Sequence, residues 1–139
     1  MEIKIETAKI STRITAFVID FFIYWVIIIV LGYFFGTPTE DGGYSLTGMP
    51  ALFAMLIGIF LWPISESIWG QTLGKRMMKL KVVKDDLNSI GFGKAFGRFV
   101  LGWIDMLFVI GILIAYNNDQ NKRIGDLVAK TKVIKLDNQ

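Results

Sequence analysis

The 139-residue sequence has no cysteine and no histidine. Without cysteine there are no disulfides, no thiolate nucleophile and no thiolate metal ligand. Without histidine the usual proton shuttle near neutral pH and the commonest nitrogen ligand for a metal are missing as well. No metal site and no cofactor is expected. Enzyme activity is not expected either, because it would rest on carboxylates, and no paired-carboxylate spacing in a polar pocket can be read. The stretch Gly70 to Lys75 has the outline of a phosphate-binding loop but fails the pattern. Three residues, not four, separate Gly70 from Gly74, and Arg76 stands where a Ser or Thr should meet magnesium. Nucleotide binding is excluded on that ground, and no nucleic-acid partner is expected.

What the chain has in quantity is apolar surface: 53% of residues are hydrophobic and the mean hydropathy is +0.52, too apolar for an ordinary soluble domain. The first apolar run, Arg13 to Phe35, reads RITAFVIDFFIYWVIIIVLGYFF. From Ile14 onward it makes a helix about 33 Å long, enough for a hydrocarbon core of about 30 Å. It exceeds a signal-peptide core of roughly 7–15 residues and no A-x-A site follows, so it reads as a retained span. Asp20 is the one charge inside it. A charge at that depth costs at least about 2.5–3.5 kcal/mol and needs a partner, a proton or a water-filled cavity. Arg13 lies two turns before it on the same face, roughly 10 Å away. That is long for a direct ion pair, so a water or a third group is expected between them. Upstream, Ile3 and Ile5 alternate with charged residues, which suits a short strand or a frayed tail equally. Ser11 and Thr12 are candidate helix caps.

The second run, Ala51 to Trp69, holds Pro63, which removes a hydrogen bond to Ile59 and should kink the helix. Glu66 follows the kink. It sits either at the headgroups or in the bundle, facing Arg13. The third run, residues 95–116, carries one charge from Phe99 to Tyr116, Asp105.

The charges between the runs set a topology. Residues 36–50 contain none of the 15 Lys and Arg, residues 70–94 contain six and the tail 117–139 contains five. By the positive-inside rule the N-terminus and loop 70–94 are cytoplasmic and loop 36–50 is extracytoplasmic, in the inner (cytoplasmic) membrane. Two short basic stretches of like pattern, KLKVVK and KTKVIKL, could pair as strands only on one side of the membrane. A plain third span would put the second of them outside. The 18 residues from Phe99 to Tyr116 cannot cross twice at about 20 per crossing. The favoured resolution is a broken or re-entrant third segment with a cytoplasmic C-terminus; a plain third span with an outside tail is the alternative.

Arg98 and Asp105 repeat the seven-residue spacing of Arg13 and Asp20. If the repeat is real, Asp20 and Asp105 share a depth, as carboxylates of an ion or proton site would. Otherwise Arg13, Arg98, Asp20, Glu66 and Asp105 form a structural ion-pair network.

Several motifs in order resemble the RDD family of bacterial membrane proteins, over nearly the whole chain. Arg13 and Asp20 match its arginine and first aspartate. Glu66 followed by GQTLGKRMMKLKVV is similar to its linker, and RIGDLVAKTKVI is similar to its closing signature around Asp126. Its second aspartate corresponds to Asp105 or Asp126. Lys130 departs from the pattern, standing where a small residue such as Gly is expected at the turn into the last strand. The resemblance implies a membrane domain for which transport, in some members sodium–proton exchange, is the usual suspicion.

The expected fold is therefore an all-α integral membrane protein in one domain over 1–139. It has about three membrane-embedded segments, near 14–35, 51–69 and 95–116, and a small cytoplasmic strand pair. The expected function is a small transporter or transporter subunit for cations or protons, with Asp20, Asp105 and Glu66 as carboxylates and Arg13, Arg98 and Asp126 as charge partners. The alternative is a non-catalytic scaffold or accessory module. Its partners would be the bilayer, anionic lipid head groups, and further copies in a homo-oligomer or a larger membrane complex.

Overall fold

Ile10–Phe35 forms one unbroken 26-residue helix, α1. The structure is a computed structural model that describes residues 6–108 and 110–136, with side chains described outside 105–112. The alternation at Ile3 and Ile5 lies outside the described residues. Just beyond it, Thr7 forms a β-bridge with Ile134 and the Ala8 amide donates to the Val133 carbonyl at 2.9 Å. That anchoring starts the helix earlier than its side-chain caps predict, so Ser11 and Thr12 lie inside α1 and Lys9 precedes it without a capping bond. The burial of α1 is inverted relative to a soluble helix. It buries Arg13, Ala16, Asp20 and Gly32 and exposes Phe22 by 68% and Ile29 by 63%. Apolar surface costs about 25 cal/mol per Å² in water; hydrocarbon around the helix removes that cost.

Beyond α1 the chain makes a tight antiparallel hairpin of β1 (Thr37–Pro38) and β2 (Tyr44–Ser45). It folds back over the helix end, with the Tyr44 ring against Tyr33. The second span is a continuous rod, Gly48–Trp69, assembled from α2 (Gly48–Ile59), a π-helical turn at Phe60–Ile64 and α3 (Ser65–Trp69). Pro63 lies in the π turn. The ring cannot donate, and the wider turn absorbs the missing bond. Ser65 and Ser67 hydroxyls donate back to the carbonyls of Leu61 and Ile64. Tyr24 of α1 ties the rod to the first helix by donating to the Ala54 carbonyl at 3.2 Å.

Gly70 ends the rod in the left-handed region at φ 68°. The chain then turns through α4 (Leu73–Met77) into β3 (Leu80–Lys84). β3 pairs antiparallel with β4 (Thr131–Lys135), Val82 opposite Val133, so the two basic stretches of like pattern do pair. Their inward residues Leu80, Val82 and Val133 join Ala8, Ala16, Ile90 and Ala95 in a small core under the sheet.

Between the strands run α5 (Phe92–Phe108), α6 (Ile110–Tyr116) and α7 (Ile124–Ala129). Among the described residues, two helical stretches are long and apolar enough to cross a membrane, Ile10–Phe35 and Gly48–Trp69. α5 and α6 are separated by one residue outside the described ones. A Cβ on Gly125 of α7 would lie 3.5 Å from the Arg98 Cα. The chain that leaves Arg98 along α5 has thus returned beside it by Gly125.

Lys130 closes α7 at φ 52°. A small residue, as the resemblance leads one to expect there, would have a physical reason, since left-handed backbone costs a residue with a Cβ about 1–2 kcal/mol. Because Lys130 is exposed, Lys130→Gly should raise stability in detergent by up to about 1 kcal/mol, read as a higher thermal midpoint. Gly70 and Gly42 give the converse. Both have positive φ, but a Cβ at Gly70 would meet the Val82 carbonyl at 2.8 Å while nothing lies within 4 Å of one at Gly42. Gly70→Ala should destabilise by roughly 1 kcal/mol more than Gly42→Ala; equal losses would show that the Val82 contact is without weight.

Candidate functional site: a buried charge cluster

Five helices deliver charged side chains to one point. Arg13 and Asp20 come from α1, Glu66 from α3, Lys75 from α4, Arg98 from α5 and Asp126 from α7. The most enclosed is Asp126, 2% exposed. One of its oxygens, Oδ2, accepts from Arg13 Nη2 at 2.5 Å and from the Arg123 amide at 3.0 Å. The other, Oδ1, accepts from Arg98 Nη1. Burial alone would raise the Asp126 pKa; the charges of Arg98 and Arg13 and the Arg123 amide outweigh it and hold the carboxyl well below the usual carboxylate range.

The two arginines extend the network. Arg13 Nη1 donates to the Asn121 carbonyl at 2.5 Å. Arg98 Nη1 also donates to Thr131 Oγ1 at 2.7 Å, and its Nε donates to Glu66 Oε2 at 3.2 Å. Glu66 Oε1 accepts from Lys75 Nζ. Burial, then the Arg98 charge, pushes the Lys75 ammonium well below its ordinary range, while Asp20 and Asp126 pull against them.

Asp20 has a different task. It accepts from the Thr72 hydroxyl at 2.5 Å and from the Gly74 amide at 2.7 Å, so it satisfies the start of α4 from the side of α1. Thr72 itself caps α4 by accepting from the Lys75 amide. The fit is close: a Cβ on Gly74 would lie 2.0 Å from the Ala16 carbonyl oxygen. Glycine is required there by approach rather than by φ.

Several sequence expectations can now be placed. Among the described residues Arg13 and Asp20 turn to different partners, Asp126 and the Thr72–Gly74 turn. Glu66 is buried in the cluster, and it meets Arg98 and Lys75 rather than Arg13. The side chain of Asp105 lies outside the described residues, so its depth relative to Asp20 is not part of the geometry. Missed by sequence reasoning were Thr72, Gly74, Lys75 and Thr131. For the first three the signal is the G-x-T-x-G-K run itself, which has the outline of a failed phosphate loop and serves as the receptor of a membrane aspartate; Thr131 lies in the second basic stretch and carries no such signal.

Above the cluster lies a cavity of about 370 Å³, within the range of about 300–1,000 Å³ typical of small-molecule sites. Its floor is the charge cluster, and Phe17, Phe21, Trp62, Phe99 and Trp103 supply apolar walls. Among the described residues no three acidic side chains converge as a bound metal would require.

Comparison with known proteins places this geometry. The family model described as the RDD family matches residues 7–130. An uncharacterized protein of Haemophilus influenzae is 30% identical over 98 residues, covering 67% of this chain and 63% of that protein. The uncharacterized protein YxaI of Bacillus subtilis is 29% identical over 94 residues, covering 65% and 61%. The chain thus spans a little over three fifths of the length of these relatives. No solved structure matches it. With two apolar helices of membrane length and a family match over almost its whole extent, this chain belongs to the RDD family of bacterial membrane proteins.

Proposed function

We propose that this chain is a non-catalytic membrane module, a scaffold or accessory subunit, in which the charge cluster is a permanent clasp between the crossing helices and the strand unit. One observation carries the reading: every carboxylate oxygen described in the cluster already has a donor. Asp126 is held by two arginines, Glu66 by Lys75 and Arg98, and Asp20 by Thr72 and Gly74. A cation carrier needs carboxylate oxygens that can replace the ion's water. Here an arriving cation would first have to break a buried pair, at about 3–5 kcal/mol. In this reading Arg13 and Asp126 are the family's arginine and second aspartate, which explains why both ends of the chain carry the signature.

The strand pairing supports the topology expected from the charges. β3 and β4 lie side by side, so a cytoplasmic loop 70–94 brings the C-terminal strand to the cytoplasmic face, and the segment from Phe99 to Tyr116 dips in and returns. The N-terminus is then cytoplasmic too, and the hairpin of β1 and β2 faces outward. Lysines on the strand pair, among them Lys81 and Lys132, suit anionic head groups at the inner leaflet. The exposed apolar faces of both spans leave room for further copies or a larger complex.

The cation or proton transport reading keeps one observation in its favour, the cavity that Asp20 and Glu66 line. The two readings separate in vesicles. Purified protein in liposomes under a sodium or potassium gradient should show no proton flux above that of protein-free vesicles. A flux that Asp20→Asn abolishes would overturn the clasp and favour transport.

The clasp also has a stability signature. Asp126→Asn leaves the buried Arg13 guanidinium without its counter-charge and Arg98 with Glu66 alone, and should cost about 3–5 kcal/mol, against roughly 1–2 kcal/mol for Asp20→Asn. Because the folded pKa of Asp126 is depressed, its contribution is complete above the unfolded value near 3.9 and is lost as pH falls below it. Thermal stability in detergent should thus be indifferent to this group from pH 8 to 5 and fall in more acid solution, and Asp126→Asn should flatten that fall.

A further inference from the structure

The geometry points to the cavity above the cluster as a binding site for a neutral, flat, carbonyl-bearing molecule of the bilayer, an isoprenoid quinone. Hydrogen-bonding capacity is the first ground. The arginine and lysine side chains of the floor only donate. The carboxylate oxygens of Asp20, Glu66 and Asp126 each have a donor already. The buried indole N–H of Trp62, on the cavity wall, has no partner among the described residues. A ligand that completes the site brings an acceptor and needs no acceptor in return, as a quinone carbonyl does. This rests on the clasp reading, which keeps the three carboxylates paired.

Depth and route select an uncharged head. Trp62 lies seven residues before the end of the rod at Trp69, about 10 Å inside it at the rise of a helix. Val18 of α1 and Trp103 of α5 line the cavity and are each half exposed on the outer surface, 57% and 50%. The mouth therefore opens between α1 and α5 onto surface that hydrocarbon covers. A charged head arriving by this route would have to shed its water in hydrocarbon, whereas a quinone ring is dissolved there already. Glycerolipids keep their head and ester groups in the interfacial layer, shallower than Trp62.

The walls give the shape. Phe17 and Phe21 of α1 stack at 6.0 Å with 23° between their planes. Trp62 of the rod and Phe99 of α5 stack at 6.0 Å and 26°, and Trp103 meets Phe99 edge-on. All five rings line the cavity. A flat ring gains offset or edge contacts against such walls that a flexible acyl chain does not. The volume of about 370 Å³ accepts a substituted ring and the first unit of its tail, and the rest of the tail leaves through the mouth into the bilayer.

Two substitutions test the site without touching the clasp. Gly102 lines the cavity and nothing among the described residues lies within 4 Å of a Cβ built there, so Gly102→Leu fills the space without a clash and replaces a poor helix former by a good one. Trp62→Phe keeps the wall and removes the donor. The full chain in mild detergent is incubated with decylubiquinone and freed of excess by gel filtration. Bound quinone is then extracted and measured by absorbance against protein-free micelles. Saturable retention of one quinone per chain is expected, reduced severalfold in Trp62→Phe and lost in Gly102→Leu at an unchanged circular dichroism spectrum. Didecanoylglycerol, which has ester carbonyls and no ring, and decanoate, which has a charged head, should leave the quinone in place at equal concentration. Retention no greater than that of empty micelles, or retention in either variant like that of the parent, would overturn the site. Displacement by didecanoylglycerol would show an ester-lipid pocket, displacement by decanoate an anion pocket, and either would sink the quinone assignment. Quinone retention alongside an Asp20-dependent ion flux would remove the clasp reading and leave this site standing.

Discussion

The carboxylate of Asp126 between the guanidiniums of Arg13 and Arg98 is the constraint on which the other contacts depend. Each arginine reaches it from a different helix, and each has a second errand. Arg13 holds the loop before α7 through the Asn121 carbonyl, and Arg98 holds α3 through Glu66 and the head of β4 through Thr131. With Glu66 as the second carboxylate on Arg98, these buried charges are paired and hydrogen-bonded at once, the condition under which an ion cluster survives out of water. Remove the central anion and two cations face each other in a low dielectric.

This division of labour suits a small membrane chain. Lipid offers helices no hydrophobic drive toward one another, so specificity must come from packing and polar contacts. The apolar core that the chain owns is confined to the strand unit, around Leu80, Val82 and Val133. The spans are joined to that unit by polar clasps, Asp20 on the Thr72–Gly74 turn and Arg13 on Asp126. The apolar faces of α1 and the rod Gly48–Trp69 are left for hydrocarbon.

Much of this was legible in the residues. Both long spans follow from length and apolarity, the strand pair from two like basic stretches, and the disturbance at Pro63 from its missing amide. The charged residues that matter were picked out because charges in apolar surroundings are costly. Their partners were harder to see. Spacing along one helix suggested that Arg13 belongs with Asp20, whereas the contacts run between segments more than fifty residues apart, and no local pattern encodes those. For Glu66 the residues offer either the headgroups or a place opposite Arg13, because the two share one end of the bundle, which fixes depth but not azimuth. Thr72 and Gly74 escaped notice for a related reason: a threonine and a glycine in a turn look ordinary until the aspartate that docks on them is known. The left-handed Lys130 shows the reverse, a position where the expected small residue would have a backbone cause and this chain carries a lysine.

The sequence separation of the central pair also bears on biogenesis. Arg13 and its counter-charge lie 113 residues apart, near opposite ends of the chain. At a synthesis rate of about 5–20 residues per second, the first helix waits roughly 6–20 s for Asp126 to emerge. Asp20 is served sooner, since Gly74 lies 54 residues on. The first span thus enters the bilayer carrying an unmatched cation at its edge and is released from that state only by the last helix. A chain truncated before α7 would retain both spans yet leave Arg13 without its carboxylate and Arg98 with Glu66 alone, a state that a quality-control protease can tell from the finished protein.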